Sequence, residues 1–127
     1  MTPLLFCAIA LAGGLGCVAR LVLDGVLRSR LVGVLPWATI LINVSGSFLL
    51  GLVAALAGGA VLPPGVQLAV GTGFLGGYTT FSTASLETVR LLQERRWTAA
   101  LLNGLGVLAL ATAAAVLGLG TGMLLSG

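Results

Sequence analysis

Residues 71–83 read Gly71-Thr72-Gly73-Phe74-Leu75-Gly76-Gly77-Tyr78-Thr79-Thr80-Phe81-Ser82-Thr83 and lie in the third of four apolar segments. Four of the first seven residues are glycines, and each weakens a helix by about 1 kcal/mol relative to alanine. Four hydroxyl side chains follow within residues 79–83. A break in a membrane helix is tolerated only where protein or a water-filled cavity satisfies the freed backbone groups. The stretch therefore predicts a broken helix and is the candidate functional region of the protein.

The composition is that of an integral membrane protein. Of 127 residues, 58% are hydrophobic and 7% are charged, and the mean hydropathy is +1.18. A soluble domain has about 25% charged residues. With no histidine and three acidic residues, a histidine-based metal or acid–base centre is excluded. The net charge of +3 comes from so few residues that we do not expect nucleic-acid binding.

We predict an all-α membrane protein with one domain, residues 1–127, and four transmembrane helices at residues 3–23, 36–57, 66–92 and 98–123. Each segment is long enough to cross a hydrocarbon core of about 30 Å. The third is longer than one crossing needs, which fits two half-helices separated at residues 76–80. Free carbonyls in such breaks can bind a cation, and the amide ends of half-helices can face an anion. Residues 24–35 are predicted to form a short polar link.

One stripe of polar or small residues follows the second segment at four-residue spacing: Thr39, Asn43, Ser47 and Gly51. A carboxamide in mid-membrane must find partners. Asn43 either makes an interhelical hydrogen bond, worth about 0.6 to 2 kcal/mol, or turns its N–H groups toward a polar path. The residues alone leave both interpretations open. Ser47 and Gly51 are expected to serve helix packing.

Charged residues near the segment ends are expected to have structural roles at the membrane interface. Arg20 can snorkel to the interface or pair with Asp24 one turn later. Glu87 is expected to be an interfacial acid that pairs with Arg90.

Glycines at helical spacing predict close helix contacts. In segment one these are Gly13, Gly14 and Gly16, with Cys17, and in segment four they are Gly118 and Gly122.

The arginines predict one fixed orientation in the membrane. All six lie in, or beside, the links that follow segments one and three, which are on the same side. The other side carries none. Under the positive-inside rule the arginine side is cytoplasmic, so we expect both termini to face outward.

Three motifs resemble the CrcB/Fluc family of fluoride channels along nearly the whole chain. The first runs from Gly13-Gly14-Leu15-Gly16 to Arg20, and the second from Pro36-Trp37-Ala38-Thr39 to Asn43-Val44-Ser45-Gly46-Ser47. The third and most specific is Gly73-Phe74-Leu75-Gly76-Gly77-Tyr78-Thr79-Thr80-Phe81-Ser82-Thr83, followed by Glu87. The length and the four-segment plan agree with this resemblance.

The resemblance implies an antiparallel, dual-topology-like dimer with two fluoride pores between the subunits. Such proteins export fluoride passively across the cytoplasmic membrane and so protect the cell. The resemblance also implies a structural sodium ion at the dimer centre. Backbone carbonyls of the broken helix would hold it, and they map to Gly76 and Thr79 here.

The same resemblance assigns roles to individual side chains. Phe81 maps to a pore phenylalanine that presents its ring edge, the positive part of the ring quadrupole, to the anion. Asn43 maps to the pore asparagine, and Arg20 to the conserved structural arginine of the first helix. The fluoride path is also expected to include Thr80, Ser82 and Thr83.

The sequence departs from the family pattern at four positions. Ala84 stands where the family has a second phenylalanine, and Asn103, Val107 and Ala111 stand where it commonly has a tyrosine and then hydroxyls. One wall of a pore has thus lost a ring and a line of hydroxyls. Dehydrating a small anion against an apolar wall is costly because a buried ion needs partners.

These losses and the arginine bias both favour a heterodimer. A homodimer of antiparallel subunits requires one chain to insert in both orientations, whereas this chain is committed to one. We therefore expect a homologous partner with the opposite arginine bias, with a homodimer as the second arrangement.

The sequence also bears on three other classes of function. A proton-coupled exporter needs a membrane-embedded carboxylate, but segment one has none and Glu87 lies near an interface. A non-conducting structural or assembly subunit is favoured by Ala84, Val107 and Ala111. An enzyme is not expected, since no nucleophile–base pair is visible.

Overall fold

The computed structural model describes residues 2–127, and the described chain is built of helices. In order these are α1 (Pro3–Arg30), α2 (Trp37–Gly58), α3 (Pro64–Gln67), a π-helix (Leu68–Leu75), α4 (Gly76–Tyr78), α5 (Phe81–Gln93) and α6 (Trp97–Ser126). Three of them, α1, α2 and α6, are long and apolar enough to cross a membrane, with mean hydropathies of 2.1, 2.2 and 2.1. The prediction of an all-helical, multi-pass membrane protein is confirmed.

Helix α1 is longer than predicted. It continues to Arg30, so the prediction that a polar link begins at Asp24 was wrong. The Arg28 Nε lies 2.9 Å from the Asp24 carboxylate one turn earlier, and this pair supports the helix. Arg28 and Arg30 occupy the last turn, where positive charge complements the helix dipole. The link to α2 is therefore shorter than the sequence suggested.

The third apolar segment is interrupted, and the interruption is narrower than predicted. Residues 76–78 remain helical as α4, and the extended backbone is confined to Thr79 (φ −80°, ψ 156°) and Thr80 (φ −146°, ψ 120°). Before it, the wider π-helical turns include a bond from the Gly76 N–H to the Gly71 carbonyl. Helix α5 then begins at Phe81. The sequence thus predicted the break correctly within a window of five residues.

Glycines bring the helix before the break into backbone contact with α1. A Cβ added at Gly16 would collide with the Phe74 carbonyl, and one added at Gly77 would collide with the Gly13 carbonyl. The predicted contact strip is confirmed at Gly13 and Gly16. Gly14 lies outside it, because nothing lies within 4 Å of a Cβ added there.

A second glycine contact joins α2 and α6. A Cβ on Gly51 would collide with the Ala115 carbonyl, and one on Gly118 with the Phe48 carbonyl. Gly122 would meet the Ala55 side chain at 2.5 Å. The predicted packing roles of these three glycines are confirmed. This contact helps to make α2 the most buried of the three long helices. Asn43 lies on α2 and bonds to the backbone at the break.

Candidate functional site

The Asn43 side chain makes two hydrogen bonds to the backbone at the break. Its Nδ2 donates to the Thr80 carbonyl at 2.9 Å, and its Oδ1 accepts from the Thr80 N–H at 2.8 Å. Interrupting a helix frees these backbone groups, and a membrane offers no water to satisfy them. The interhelical interpretation of Asn43 is therefore confirmed. The Nδ2 carries a second N–H, which these two bonds leave free.

Two threonine hydroxyls complete the break. The Thr80 Oγ1 accepts from the Thr83 N–H at 3.2 Å and so caps α5, as serine and threonine do at helix N-termini. The Thr79 Oγ1 donates to the Leu75 carbonyl at 3.0 Å, one turn back. The extended segment is therefore held at both ends by its own side chains.

Some carbonyls at the break have no protein partner. Within residues 2–127, the carbonyls of Gly76 and Thr79 accept no hydrogen bond, whereas the Gly77 carbonyl accepts one from the Arg20 Nε at 3.4 Å. Gly76 is exposed. In the same part of the chain no cluster of histidine, cysteine or acidic side chains could hold a metal. A cation here would thus be held by backbone oxygens, and unwound carbonyls suit sodium.

A groove of about 510 Å³ lies beside the break, between α2, α5 and α6. It brings together three of the predicted pathway residues: Asn43, Thr80 and Phe81. Phe81 is 87% exposed at the start of α5. Ser82 and Thr83, also predicted for the pathway, are not among the lining residues. The backbone N–H of Thr83 donates to the Thr80 hydroxyl in the cap of α5.

One wall of the groove is apolar. It includes Ala84, Val107 and Ala111, which are three of the four positions where the sequence departs from the family pattern. The fourth, Asn103, is polar and also lines the groove. Ser47, expected only to pack, also lines the groove.

Ser85 and Thr88 line the same groove, although they were not among the residues predicted for the pathway. With Phe81 and Ala84 they occupy positions i, i+3, i+4 and i+7, which share one helix face. That spacing was a readable signal. Thr88 also connects to α6, because its Oγ1 accepts from the Asn103 Nδ2 at 2.8 Å.

Arg28 organises a charged cluster at the other end of α5. It pairs with Asp24, lies 3.1 Å from the Glu87 carboxylate through Nη2, and donates from the same nitrogen to the Thr39 hydroxyl at 3.3 Å. Glu87 is 7% exposed. The cluster borders a second cavity of about 330 Å³.

Two predicted pairings were therefore wrong. Asp24 pairs with Arg28 and not with Arg20, and Glu87 pairs with Arg28 and not with Arg90. The reason is the longer α1, which carries the Arg28 guanidinium into contact with both acids. Within the described residues Arg20 does not pair with an acid, and its Nε donates to the Gly77 carbonyl of the broken helix.

The comparisons with known proteins agree with the motifs. A family model described as CrcB-like protein, Camphor Resistance (CrcB), matches residues 7–119. A protein of Leifsonia xyli subsp. xyli named fluoride-specific ion channel FluC 1 is 63% identical over 122 residues, covering 96% of this chain and 89% of that protein.

Two further relatives are named fluoride-specific ion channel FluC 2. The protein of Cutibacterium acnes is 44% identical, over 96% of this chain and 98% of its own length. The protein of Mycobacterium tuberculosis is 42% identical, over 93% of this chain and 90% of its own length. Since the family model and these relatives span most of the sequence, the chain belongs to the CrcB family.

Proposed function

We propose that this chain is a subunit of a fluoride-selective channel that exports fluoride passively across the cytoplasmic membrane and so reduces its toxicity. The observation that carries the proposal is the groove at the helix break, where the motif residues Asn43, Thr80 and Phe81 meet. The 63% identity to a relative named as a fluoride-specific channel supports the choice of ion. The function is transport, without chemical conversion of the ion.

The groove contains hydrogen-bond donors that could replace the water molecules that an anion loses on entering it. A dehydrated ion requires replacement partners, and the second N–H of Asn43 and the hydroxyls of Ser47 and Ser85 are available donors. The N-terminus of α5 begins at Phe81 in the groove, and the positive end of a helix favours an anion. The Phe81 ring edge adds a weaker attraction.

In the membrane, we place α3, the π-helix, α4 and α5 together as one crossing, which gives four crossings in all. The arginine-rich ends of α1 and α5 then lie in the cytoplasm and both termini lie outside. The six-to-none distribution of arginines supports this orientation.

The working unit in this proposal is an antiparallel dimer with a homologous subunit. The exposed Phe81 ring and the exposed Gly76 support it, because both belong to the site yet remain uncovered in one chain. A heterodimer is favoured because Ala84, Val107 and Ala111 contribute no hydrogen-bond donors to the groove, and a partner would supply donors opposite them. A homodimer is the second arrangement.

We further propose a structural sodium ion at the break, held by the carbonyls of Gly76 and Thr79 and by matching groups of the other subunit. Their lack of hydrogen-bond donors within residues 2–127 supports this. The positive charge of the ion would attract carbonyl oxygens of both subunits and so stabilise the dimer.

A second candidate function is a non-conducting partner that assembles with a conducting homologue. The apolar wall formed by Ala84, Val107 and Ala111 favours it.

Fluoride efflux from liposomes separates these functions, with chloride as the control anion. Fast, fluoride-selective efflux with this chain alone would establish a homodimeric channel. Efflux from liposomes that contain both this chain and a homologous chain of opposite arginine bias, with no efflux from either chain alone, would establish the heterodimer. The absence of fluoride efflux in both preparations, with folded protein, would overturn the channel proposal for this chain. If the homologous chain conducts fluoride whether or not the groove of this chain is intact, this chain is a non-conducting partner.

A further inference from the structure

We propose that a cavity at the arginine-rich end of the molecule is a binding site for an anionic phospholipid. The cavity has a volume of about 310 Å³, lies between the end of α1 and the beginning of α2, and is lined by Arg30, Leu31, Val32, Trp37 and Leu41. The groove at the helix break is a separate feature with its own lining residues. The inference goes beyond the proposed function, because it does not depend on which ion the chain transports.

Arg30 brings an unpaired positive charge to this cavity. Within residues 2–127 both ion pairs are made by Arg28, with Asp24 and Glu87. Arg28 and Arg30 are two residues apart, so their side chains leave α1 on different faces. In the same part of the chain, no acidic side chain lines the cavity. The Arg30 guanidinium is therefore available to a phosphate group, whose geometry suits its planar fork of N–H donors.

Trp37 supplies a second group suited to a lipid headgroup. It is the first residue of α2, and its side chain is exposed. A Cβ added at Gly33 would lie 3.6 Å from the Trp37 Nε1, so the N–H end of the indole lies beside the link between α1 and α2. Indole rings favour the level of the lipid headgroups, where one end is apolar and the other is wet. The cavity thus has two donors at its polar end.

The other side chains of the cavity are apolar and fit an acyl chain. Leu41 is exposed and follows Trp37 by one helical turn, about 6 Å further along α2 into the hydrocarbon region. Leu31 and Val32 are exposed in the link. A positive end above an apolar end matches both parts of an anionic phospholipid, whereas a free phosphate would use only the first. A bound lipid would connect Arg30 on α1 to Trp37 on α2.

The same end of the molecule provides an internal control. Arg95, Arg96 and Trp97 also combine positive charge with an exposed indole. They lie outside the lining of this cavity. General attraction between arginines and anionic lipids would act at Trp97 as it does at Trp37, whereas a lipid site would act at Trp37 alone.

Fluorescence quenching by brominated lipids tests the site, because the chain contains two tryptophans. In the full-length protein, Trp97→Phe leaves Trp37 as the single reporter, and Trp37→Phe leaves Trp97. Each protein is reconstituted in phosphatidylcholine bilayers with a rising share of brominated phosphatidylglycerol or brominated phosphatidylcholine. Sodium chloride at about 1 M screens charges beyond about 3 Å. We expect phosphatidylglycerol to bind about fivefold more strongly than phosphatidylcholine at Trp37, the effect of one arginine, and equally at Trp97.

Three substitutions, each combined with Trp97→Phe, locate the charge that matters. Arg30→Gln removes the charge in the cavity and is expected to abolish the preference for phosphatidylglycerol at Trp37. Arg30→Lys keeps a cation and is expected to retain most of that preference. Arg96→Gln is the matched control, because it removes one charge from the same end of the molecule outside the cavity, and it is expected to change nothing.

Several results would overturn the proposal. Equal preferences at Trp37 and Trp97, or equal effects of Arg30→Gln and Arg96→Gln, would leave only general electrostatic attraction. A Trp37 signal that neither brominated lipid quenches would show that protein covers the cavity. Loss of the preference on addition of excess inorganic phosphate would show a site for free phosphate and defeat the lipid assignment. Fluoride efflux is measured separately, so a failure of the channel proposal would leave this result intact.

Discussion

Asn43 on α2 replaces the helical hydrogen-bond partners that Thr80 lacks in the break. Its carboxamide bonds the Thr80 carbonyl at 2.9 Å and the Thr80 N–H at 2.8 Å. One side chain therefore satisfies both backbone groups of one residue, across two separate segments. This relationship explains how two extended residues persist between α4 and α5 in a membrane protein, and it fixes the groove wall against α2.

Replacing Asn43 by alanine should destabilise the fold, because the Thr80 backbone groups at the break lose their hydrogen-bond partners. Two interhelical bonds are lost, each worth about 0.6 to 2 kcal/mol in membrane proteins. We expect a total loss of about 1 to 4 kcal/mol in the free energy of unfolding. Unfolding in mixed micelles with increasing denaturing detergent would measure it. Ser47→Ala is the control, one turn along the same helix. Equal stabilities of the two variants would contradict the role given to Asn43.

Removing Arg28 should leave Glu87 as a buried, unpaired acid. Breaking a buried ion pair costs about 3 to 5 kcal/mol, and we expect less here because the Arg28 side chain is 46% exposed. Arg28→Leu should be rescued in part by Glu87→Gln, since the amide carries no charge. A double-mutant cycle on unfolding free energies would measure the coupling. Arg30→Leu is the control, because Arg30 makes no ion pair within the described residues. A coupling of zero would contradict the pairing.

Two glycines in α1 should respond oppositely to alanine. Gly16→Ala places a methyl group against the Phe74 carbonyl, and we expect a loss of about 1 to 3 kcal/mol in unfolding free energy from overpacking. Gly14→Ala places the same methyl group in open space and is expected to be neutral or slightly stabilising. Thermal unfolding of both variants in one detergent would compare them. A Gly16 variant as stable as the Gly14 variant would rule out the close contact.

Removing sodium should weaken the proposed dimer. Replacing sodium by a large organic cation leaves the Gly76 and Thr79 carbonyls without a positive partner, so the subunits are expected to separate more readily. Fluorescence energy transfer between labelled subunits, diluted in lipid, would follow dissociation. Potassium at the same ionic strength tests selectivity. Identical dissociation in all three salts would remove the sodium site from the proposal.

Truncating Phe81 should slow fluoride efflux. The loss of one aromatic contact of about 1 kcal/mol corresponds to a reduction of roughly fivefold. Phe6→Ala is the matched control, because Phe6 is also exposed, at 64%, but lies on α1 outside the groove. The measurement is efflux from liposomes that contain the conducting assembly. A larger effect from Phe6→Ala than from Phe81→Ala would contradict the assigned path.

Local chemistry made several features readable from the sequence. Glycines followed by hydroxyls at residues 71–83 indicated the break, since glycine weakens helices and threonine caps them. Four-residue spacing located the glycine contacts at Gly51, Gly118 and Gly122. The motifs were specific enough to identify the family.

The charged pairs were not readable in the same way. Asp24 has arginines one turn before it and one turn after it, and Glu87 has Arg90 nearby on its own helix. Local spacing allows each of these pairs. The choice of Arg28 depends on the continuation of α1, which brings its guanidinium to Thr39 and Glu87 on other helices.

By itself, the sequence determined a helical membrane protein, the region of its break and the side chains available there, because hydrophobicity, helix propensity and arginine placement are local properties. Only the tertiary structure decided which partners those side chains take. It joined Asn43 to Thr80, Arg28 to Glu87 and Asn103 to Thr88. Such pairs depend on where helices distant in sequence meet, and burial then makes each unsatisfied atom expensive enough to select one arrangement.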